Sequence, residues 1–249
     1  MSYKVEKVNP YNDHQPKKEQ VSRMFDEIAY NYDRLNRTLS LGIDHYWRRD
    51  ALKELKRYRP HHILDIATGT GDFAILACRI LHPEKVTAID ISDGMMEVGK
   101  KKVKAEGLGD IISFDNQDCA ALSFPDNSFD AAIAAFGVRN FENIDTSFQE
   151  VLRVLKPGGV FLFIELTSPE KTPMRELFTT YTRYVMPFLS GLFNTEQRAY
   201  RYLPESIAVF PQGRDMMLIL KKNGFTNIRL RRYTLGVATL YIAEKPIDS

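Results

Sequence analysis

Cysteine and tryptophan are scarce in this chain: two Cys (Cys78, Cys119) and one Trp (Trp47) among 249 residues. Neither cysteine belongs to a ligand set at metal spacing, so no disulfide framework and no metal site is expected. Such sparing cysteine use fits a reducing cytoplasm. No apolar run approaches the ~20 residues that a bilayer span needs. The start, Met1-Ser-Tyr-Lys-Val-Glu-Lys-Val8, lacks the apolar stretch of a secretory signal. A surplus of charge is missing too. A net charge of +2 provides no concentrated basic face for nucleic acid. Lys100, Lys101, Lys102 and Lys104 cluster, but Glu97 and Glu106 flank them, so a solvated helix face is the expectation. Repeats and low-complexity segments are absent. What is left is a soluble cytoplasmic protein, 44% hydrophobic and 27% charged, with a length suited to one large domain.

What the chain does have is concentrated in His62-Ile-Leu-Asp-Ile-Ala-Thr-Gly-Thr-Gly-Asp-Phe-Ala74. It reads as a buried strand (Ile63 to Ile66), a glycine turn and a helix. Such a join opens a cleft at the strand's carboxyl end, where open α/β sheets bind ligands. Gly69 and Gly71 permit positive φ and close approach of a ligand to the backbone. Gly69-Thr-Gly-Asp-Phe-Ala74 also fits the dinucleotide fingerprint, with Asp90 standing 19 residues past Gly71. Asp72 argues against a dinucleotide: its carboxylate occupies the helix start where a pyrophosphate has to lie. Asp65 adds a second negative charge. S-adenosylmethionine, with an ammonium, a sulfonium and no phosphate, removes that conflict. The plainer alternative is that Asp72 only starts its helix.

Around this turn, strands and helices alternate. Strands are predicted over Lys85 to Ile91, Ile111 to Phe114, Phe129 to Phe136 and Val160 to Leu166, with helices over Asp93 to Glu106 and about Ile144 to Leu155. That alternation predicts an α/β, doubly wound parallel sheet. Residues 1–18 read as a polar, extended or mobile arm, and 19–249 as one domain. Helices over Lys18 to Tyr32 and Trp47 to Tyr58 make 19–60 a cap rather than part of the sheet. Residues 172–223 form a helical lid insertion, with Pro204 to Asn223 as one helix carrying Gly213 near its middle. Two strands around a turn near Gly236 close the chain. Asp90 ends the second strand, where an acid meets ribose hydroxyls; Asp118 and Cys119 follow the third and are placed to meet an adenine. For Asp118 the competing reading is a loop cap.

Several stretches together resemble a known family. Asp65-Ile-Ala-Thr-Gly-Thr-Gly71, Asp90, the Asp118 turn, Lys156-Pro-Gly-Gly159 and the closing hairpin are similar to class I methyltransferases. Tyr32-Asp-Arg-Leu-Asn-Arg-Thr-Leu-Ser40 with Trp47, Phe136-Gly-Val-Arg-Asn140 and Arg153-Val-Leu-Lys-Pro-Gly-Gly-Val-Phe-Leu-Phe-Ile-Glu-Leu-Thr167 resemble the menaquinone/ubiquinone biosynthesis C-methyltransferases. The resemblance runs from about Val21 to the last strand. It implies a seven-stranded, Rossmann-like class I S-adenosylmethionine-dependent methyltransferase fold with a helical cap. The implied cofactor is S-adenosylmethionine, held by Gly69, Thr70, Asp90, Asp118 and Cys119. The implied reaction is methyl transfer to a ring carbon of a polyprenylated quinol, demethylmenaquinol foremost and a benzoquinol as the alternative. Three departures stand out: Asp44 where the pattern has histidine, with His45 next to it; Thr167 for serine; and Ala67 for the first glycine of the turn.

An aromatic carbon is a poor nucleophile until its neighbouring hydroxyl ionises, and a phenol near pKa ~10 is mostly protonated at neutral pH. Arg139, just past the fourth strand, is expected to stabilise that phenolate; the competing reading is a salt bridge to Glu142 or Asp145. Asn140 is expected to orient the same oxygen. Tyr32 and Trp47 are cap candidates for contact with the ring, and His45 is the candidate base. The stretch Pro173 to Phe193, rich in large apolar side chains and carrying Arg175 and Arg183, is expected to form an apolar mouth that docks transiently on the membrane surface; an ordinary packed helix is the alternative. Other function classes stay open: another small-molecule methyltransferase, an NAD enzyme, or a binding-only domain on the same fold.

Overall fold

The computed structural model describes residues 2–11, 13–185 and 197–247. A seven-stranded sheet, ordered β3-β2-β1-β4-β5-β7-β6, forms its centre: β1 His62–Ile66, β2 Lys85–Asp90, β3 Ile112–Asn116, β4 Phe129–Ala135, β5 Leu155–Leu166, β6 Thr226–Tyr233 and β7 Ala238–Glu244. The first five strands run parallel and β7 is antiparallel to both β5 and β6. Chain order reverses between β1 and β4, whose register pairs Leu64 with Ala132 and Ile66 with Ala134. A crevice therefore opens beyond their carboxyl ends. This is the class I methyltransferase fold that the strand–helix alternation and the motifs anticipate.

Alternation along each strand builds two cores, because successive side chains point to opposite faces. Ile63, Ile133, Val160, Leu162 and Leu240 face one layer, which contains Trp47, Leu52 and Phe73. Leu64, Ile66, Phe161, Phe163 and Tyr241 face the other, with Phe148, Val151 and Leu220. The first layer comprises α3 (Ile43–Lys53) and α4 (Asp72–Leu81), the second α6 (Ile144–Val154) and α9 (Arg214–Lys222). Caps set the helix starts. Ser92 accepts from the Met95 N–H ahead of α5 (Asp93–Ala105), and Asn143 accepts from Thr146 ahead of α6.

The cap departs from expectation in its boundaries. Helix α1 (Lys17–Ile28) ends in a 3-10 turn, α2 (Tyr32–Leu39) follows, and α3 begins at Ile43, four residues earlier than predicted. Leu41 and Gly42 take positive φ (52° and 76°), and that reversal starts α3 early. The segment Pro204 to Asn223 is not one helix. Helix α8 (Gln197–Val209) contains Pro204, and α9 starts afresh at Gly213, φ 60°. α7 (Met174–Thr180) continues into a π-helical turn, Tyr181–Val185. The expected apolar segment beyond it, including Pro187, Phe188, Leu189, Gly191 and Phe193, lies outside the described residues.

The polar arm is another correction. Val5 is fully buried, Tyr3 Oη donates to Asp145 (2.8 Å), and Glu6 accepts the first N–H of α6 from Ile144 (2.8 Å). Lys17 is buried, and its ammonium donates to three carbonyls: Val5 (2.8 Å), Arg139 (3.2 Å) and Phe141 (3.3 Å). Val5 and Tyr11, with Tyr3 and Val8 packed beside them, and a buried cation thus tie the arm to the body of the fold. Composition hid this, because the few apolar residues are spread among polar ones.

Candidate active site

The crevice at the ends of β1, β2 and β4 is shaped by backbone groups. Gly69 (φ 57°) donates its N–H to Asp90 Oδ2 at 2.7 Å, and Ser92 N–H donates to Asp90 Oδ1 at 3.0 Å. Burial raises the Asp90 carboxyl above the usual range while these N–H groups oppose it. Asp118 and Cys119 line the far wall. Asp118 Oδ1 accepts from Ala120 N–H (2.9 Å) and Oδ2 pairs with Lys18 (3.3 Å), so the loop-cap role exists alongside its place in the cleft. Cys119 is buried, and desolvation pushes its thiol up. Gly137 forms part of the floor: a Cβ there would lie 2.5 Å from Ala67 Cβ, so only glycine fits. Asn140 also faces this cleft, its Oδ1 accepting from Tyr202 Oη (3.0 Å).

A side recess under the glycine turn holds Asp65, Thr70 and Asp72. Asp65 is fully buried; Thr68 Oγ1 donates to its Oδ2 (2.6 Å), and Oδ1 has no hydrogen-bond partner. Desolvation lifts its pKa to about 7, against the pull of Thr68 and of the Arg48 charge. Asp72 is not the free negative charge that its position suggests. Lys102 binds it directly, and Arg48 lies 3.5 Å away. Thr70 turns into the same network: its hydroxyl donates to Asp33 (2.6 Å) and accepts from Lys102 (3.1 Å), which also pairs with Asp33 (2.7 Å). Lys102 is therefore no solvated bystander; it clamps α2 of the cap to the glycine turn.

Beside the cleft lies a second cavity of about 490 Å³, walled mainly by apolar side chains of the cap, α7 and α8. Phe25, Tyr32 and Phe136 line both spaces and mark their junction. Burial raises the Tyr32 phenol. Trp47 packs edge-on to Phe136 and donates Nε1–H to Thr234 (3.0 Å). Arg139 reaches this cavity while its neighbour Asn140 faces the cleft, so consecutive residues of one 3-10 turn serve the two spaces. The guanidinium pairs with Glu165 (2.7 Å) rather than Glu142 or Asp145, and also donates to the Phe136 carbonyl. Desolvation works against its charge, but Glu165, itself fully buried, overcomes this and raises the pKa. Its Nε is buried without a partner. Among the described residues no carboxylate, thiol and imidazole groups gather as a metal site.

Comparison with known proteins settles the family. The model of the ubiE/COQ5 methyltransferase family matches residues 13–245. A demethylmenaquinone methyltransferase of Bacteroides fragilis is 52% identical over 245 residues, 98% of this chain and 100% of that protein. Another of that name, from Porphyromonas gingivalis, is 42% identical over 96% of this chain and 98% of its own length. The ubiquinone/menaquinone biosynthesis C-methyltransferase UbiE of Geotalea daltonii is 42% identical over 92% and 97%. This chain belongs to the ubiE/COQ5 methyltransferase family. As a family member it is an S-adenosylmethionine-dependent C-methyltransferase of quinone biosynthesis. Among solved structures, the [4+2]-cyclase SpnF covers 92% of this chain (96% of its own) at TM-score 0.68 and 18% identity. A Haemonchus contortus phosphoethanolamine N-methyltransferase in complex with S-adenosyl-L-methionine covers 88% (60% of its own) at 0.58 and 19%. At such identities they share the fold alone.

The residues present fit this family's cofactor. Gly69 and Asp90 line the cleft where a ligand can approach the backbone without meeting a Cβ, and the carboxylates of Asp90 and Asp118 suit a cationic ligand with hydroxyl and amine groups. Gly69, Asp90, Asp118, Cys119 and Asn140 converge on the cleft, whereas the Thr70 hydroxyl is spent on Asp33 and Lys102. Tyr32, Trp47 and Arg139 converge on the apolar cavity. His45 does not: it is exposed and absent from the cavity wall. Because α3 starts at Ile43, helical spacing turns Asp44, Trp47 and Arg48 inward and His45 outward. Glu165, Arg48 and Tyr202 were not singled out from the sequence, and Lys102 was read as part of a solvated helix face. Only Arg48, four residues after Asp44, carried a readable signal.

Proposed function

We propose that this methyltransferase acts on a polyprenylated quinol, demethylmenaquinol in first place, giving menaquinol. The observation that carries the reading is a cleft presenting Asp90, Asp118 and Asn140 that meets a large apolar cavity at Tyr32 and Phe136. A polar cofactor suits the first, and a ring with an isoprenoid tail the second. S-adenosylmethionine, when bound, supplies an electrophilic methyl group. Gly69, Asp90, Asp118 and Cys119 would hold it. The chain's own contribution is positioning and electrostatics: well-oriented reactants gain up to ~7–11 kcal/mol. Arg139, locked by Glu165, offers its unpartnered Nε–H to a quinol oxygen as negative charge develops there. Asn140, oriented by Tyr202, faces the junction from the cleft side.

In this reading residues 19–60 act as cap and 172–223 as lid of a single domain. No helix among the described residues is long and apolar enough to cross a membrane, so the lipid-borne substrate has to be collected from the surface. Leu41 (86% exposed) and Leu177 (59%) both stand in the cavity wall, and Tyr46 and Tyr184 are exposed on the neighbouring cap and lid elements. Arg37 and Arg183, on the same elements, suit anionic head groups.

The test is incubation of the protein with labelled S-adenosylmethionine and either reduced demethylmenaquinone or a polyprenyl benzoquinol. Methylated naphthoquinol is expected as the dominant product; turnover on the benzoquinol alone reverses the substrate assignment. In flotation with anionic liposomes, Leu41→Ser/Leu177→Ser should leave the lipid fraction in which wild type is recovered. Equal recovery of both ends the docking reading.

A further inference from the structure

Activating the ring carbon needs a group that takes the neighbouring hydroxyl's proton as the C–C bond forms, and His45 faces solvent rather than the cavity. Asp44 is the single carboxylate among the described residues that line the apolar cavity. Its position is prepared on both oxygens. Ser40 Oγ donates to Oδ1 at 2.6 Å across the Leu41-Gly42 reversal, and Arg48 Nη1 lies 3.4 Å from Oδ2 one helical turn on. Arg48 is in turn buried over the Phe136 ring (5.2 Å), so the carboxylate is fixed relative to the junction with the cleft. As a first-turn residue of α3, Asp44 also interacts with the helix dipole. That structural role explains a carboxylate at the helix start, but not its orientation into an apolar cavity.

We infer that Asp44 is the proton acceptor for methylation of the quinol ring, an assignment that rests on the quinol reading above. The ring carbon beside the hydroxyl uses its π electrons to form the new C–C bond, and the sulfur–methyl bond breaks with its pair staying on sulfur. As the hydroxyl proton is drawn off during this step, the oxygen takes on the partial phenolate charge that Arg139 stabilises. A carboxylate is too weak a base to ionise a resting phenol fully, yet the hydroxyl becomes strongly acidic as the new bond forms. A carboxylate poised at the hydroxyl takes the proton at that moment, leaving a neutral dienone. The ring C–H proton then leaves to water, and Asp44 returns its proton to the oxygen as aromaticity is restored. The net yield is one methylated quinol and one proton. Arg139 acts on the same oxygen by charge, and Asp44 by accepting hydrogen.

The experiment compares wild type, Asp44→Asn and Asp44→His with reduced demethylmenaquinone as substrate. It measures kcat from pH 5 to 9 and S-adenosylhomocysteine binding by calorimetry. Asp44→Asn should lower kcat about 10²–10⁴-fold, the range for removing a positioned base, with cofactor affinity within twofold of wild type. Asp44→His should recover at least tenfold of that loss and acquire a new acidic limb, since an imidazole accepts protons only above its own pKa near ~6.5. Arg48 on the same helix, Tyr32 on α2, Arg139 after β4, Tyr181 on the lid and Tyr202 on α8 share the cavity. Among them the tyrosines are held protonated by burial and Arg139 charged. A limb absent from wild type therefore reports the new histidine. An Asp44→Asn enzyme within threefold of wild-type kcat overturns the assignment. So does a variant that loses cofactor binding in parallel, or an Asp44→His enzyme without the new limb. Wild type that methylates no quinol overturns the functional reading and takes this inference with it; active wild type with an indifferent Asp44→Asn overturns the inference alone.

Discussion

The cleft and the apolar cavity share Phe25, Tyr32 and Phe136, yet they are built differently. The floor of the cleft is organised by backbone: strand ends, the Gly69 N–H, and the Asp90 and Asp118 carboxylates, which accept from main-chain donors. The cavity is made of side chains contributed by α1 to α3, the turn after β4, α7, α8 and the β6–β7 turn. Backbone geometry is preserved when surrounding side chains change, whereas a cavity assembled from distant segments can be reshaped by single substitutions. The difference explains why one site can serve a common cofactor and the other a particular substrate.

The strongest way to break the comparison is at Arg139, where the cavity depends on a buried ion pair. Arg139→Leu leaves Glu165 buried and uncompensated, which should cost about 3–5 kcal/mol in urea unfolding. Arg139→Leu/Glu165→Leu should regain most of that stability and still fail to methylate quinol. Recovery of both properties in the double variant would reduce Arg139 to a structural residue.

Asp65 probes the recess by pH. Burial raises its pKa to about 7 in the folded protein, against ~3.9 for an unfolded aspartate. The folded state binds the proton more tightly, so the stabilisation is fully present below about pH 4 and is lost as pH rises through about 7. Relative to Asp65→Asn, the cofactor-free wild type should lose up to about 4 kcal/mol across that window. Parallel stability–pH curves for the two proteins would contradict the buried neutral acid.

In the cleft, Asp90→Ala should weaken S-adenosylmethionine by about 1–3 kcal/mol in calorimetry, the scale for losing a hydrogen bond to a charged group. The cavity's contribution, read as quinol KM at saturating cofactor, should stay within twofold. The smallest effect belongs to the clamp between the two regions. Lys102→Met removes partly exposed pairs with Asp33 and Asp72, each worth no more than about 1 kcal/mol. S-adenosylhomocysteine should dissociate a fewfold faster, and high salt should speed wild type but not the variant. A salt response unchanged by the substitution would show that the clamp does not hold the cap.

Local order along the chain determined the sheet and the cofactor end. The apolar strand ending at Ile66 and the glycines at 69 and 71 act on neighbours a few residues away, and the acid closing β2 stands at a strand end, so their roles are readable in a line. The same held for β2, β4 and β5, whose apolar runs form buried strands. Tertiary structure alone decided the rest. Asp72 met Lys102 and Arg48, Arg139 met Glu165, and Val5 with Lys17 docked an arm that polarity marked as loose. The facing of Asp44 into the cavity and of His45 to solvent has the same origin. A start of α3 four residues early, after two positive-φ residues, gives positions 43–46 a helical facing, and a charge finds its partner only once the helices have packed.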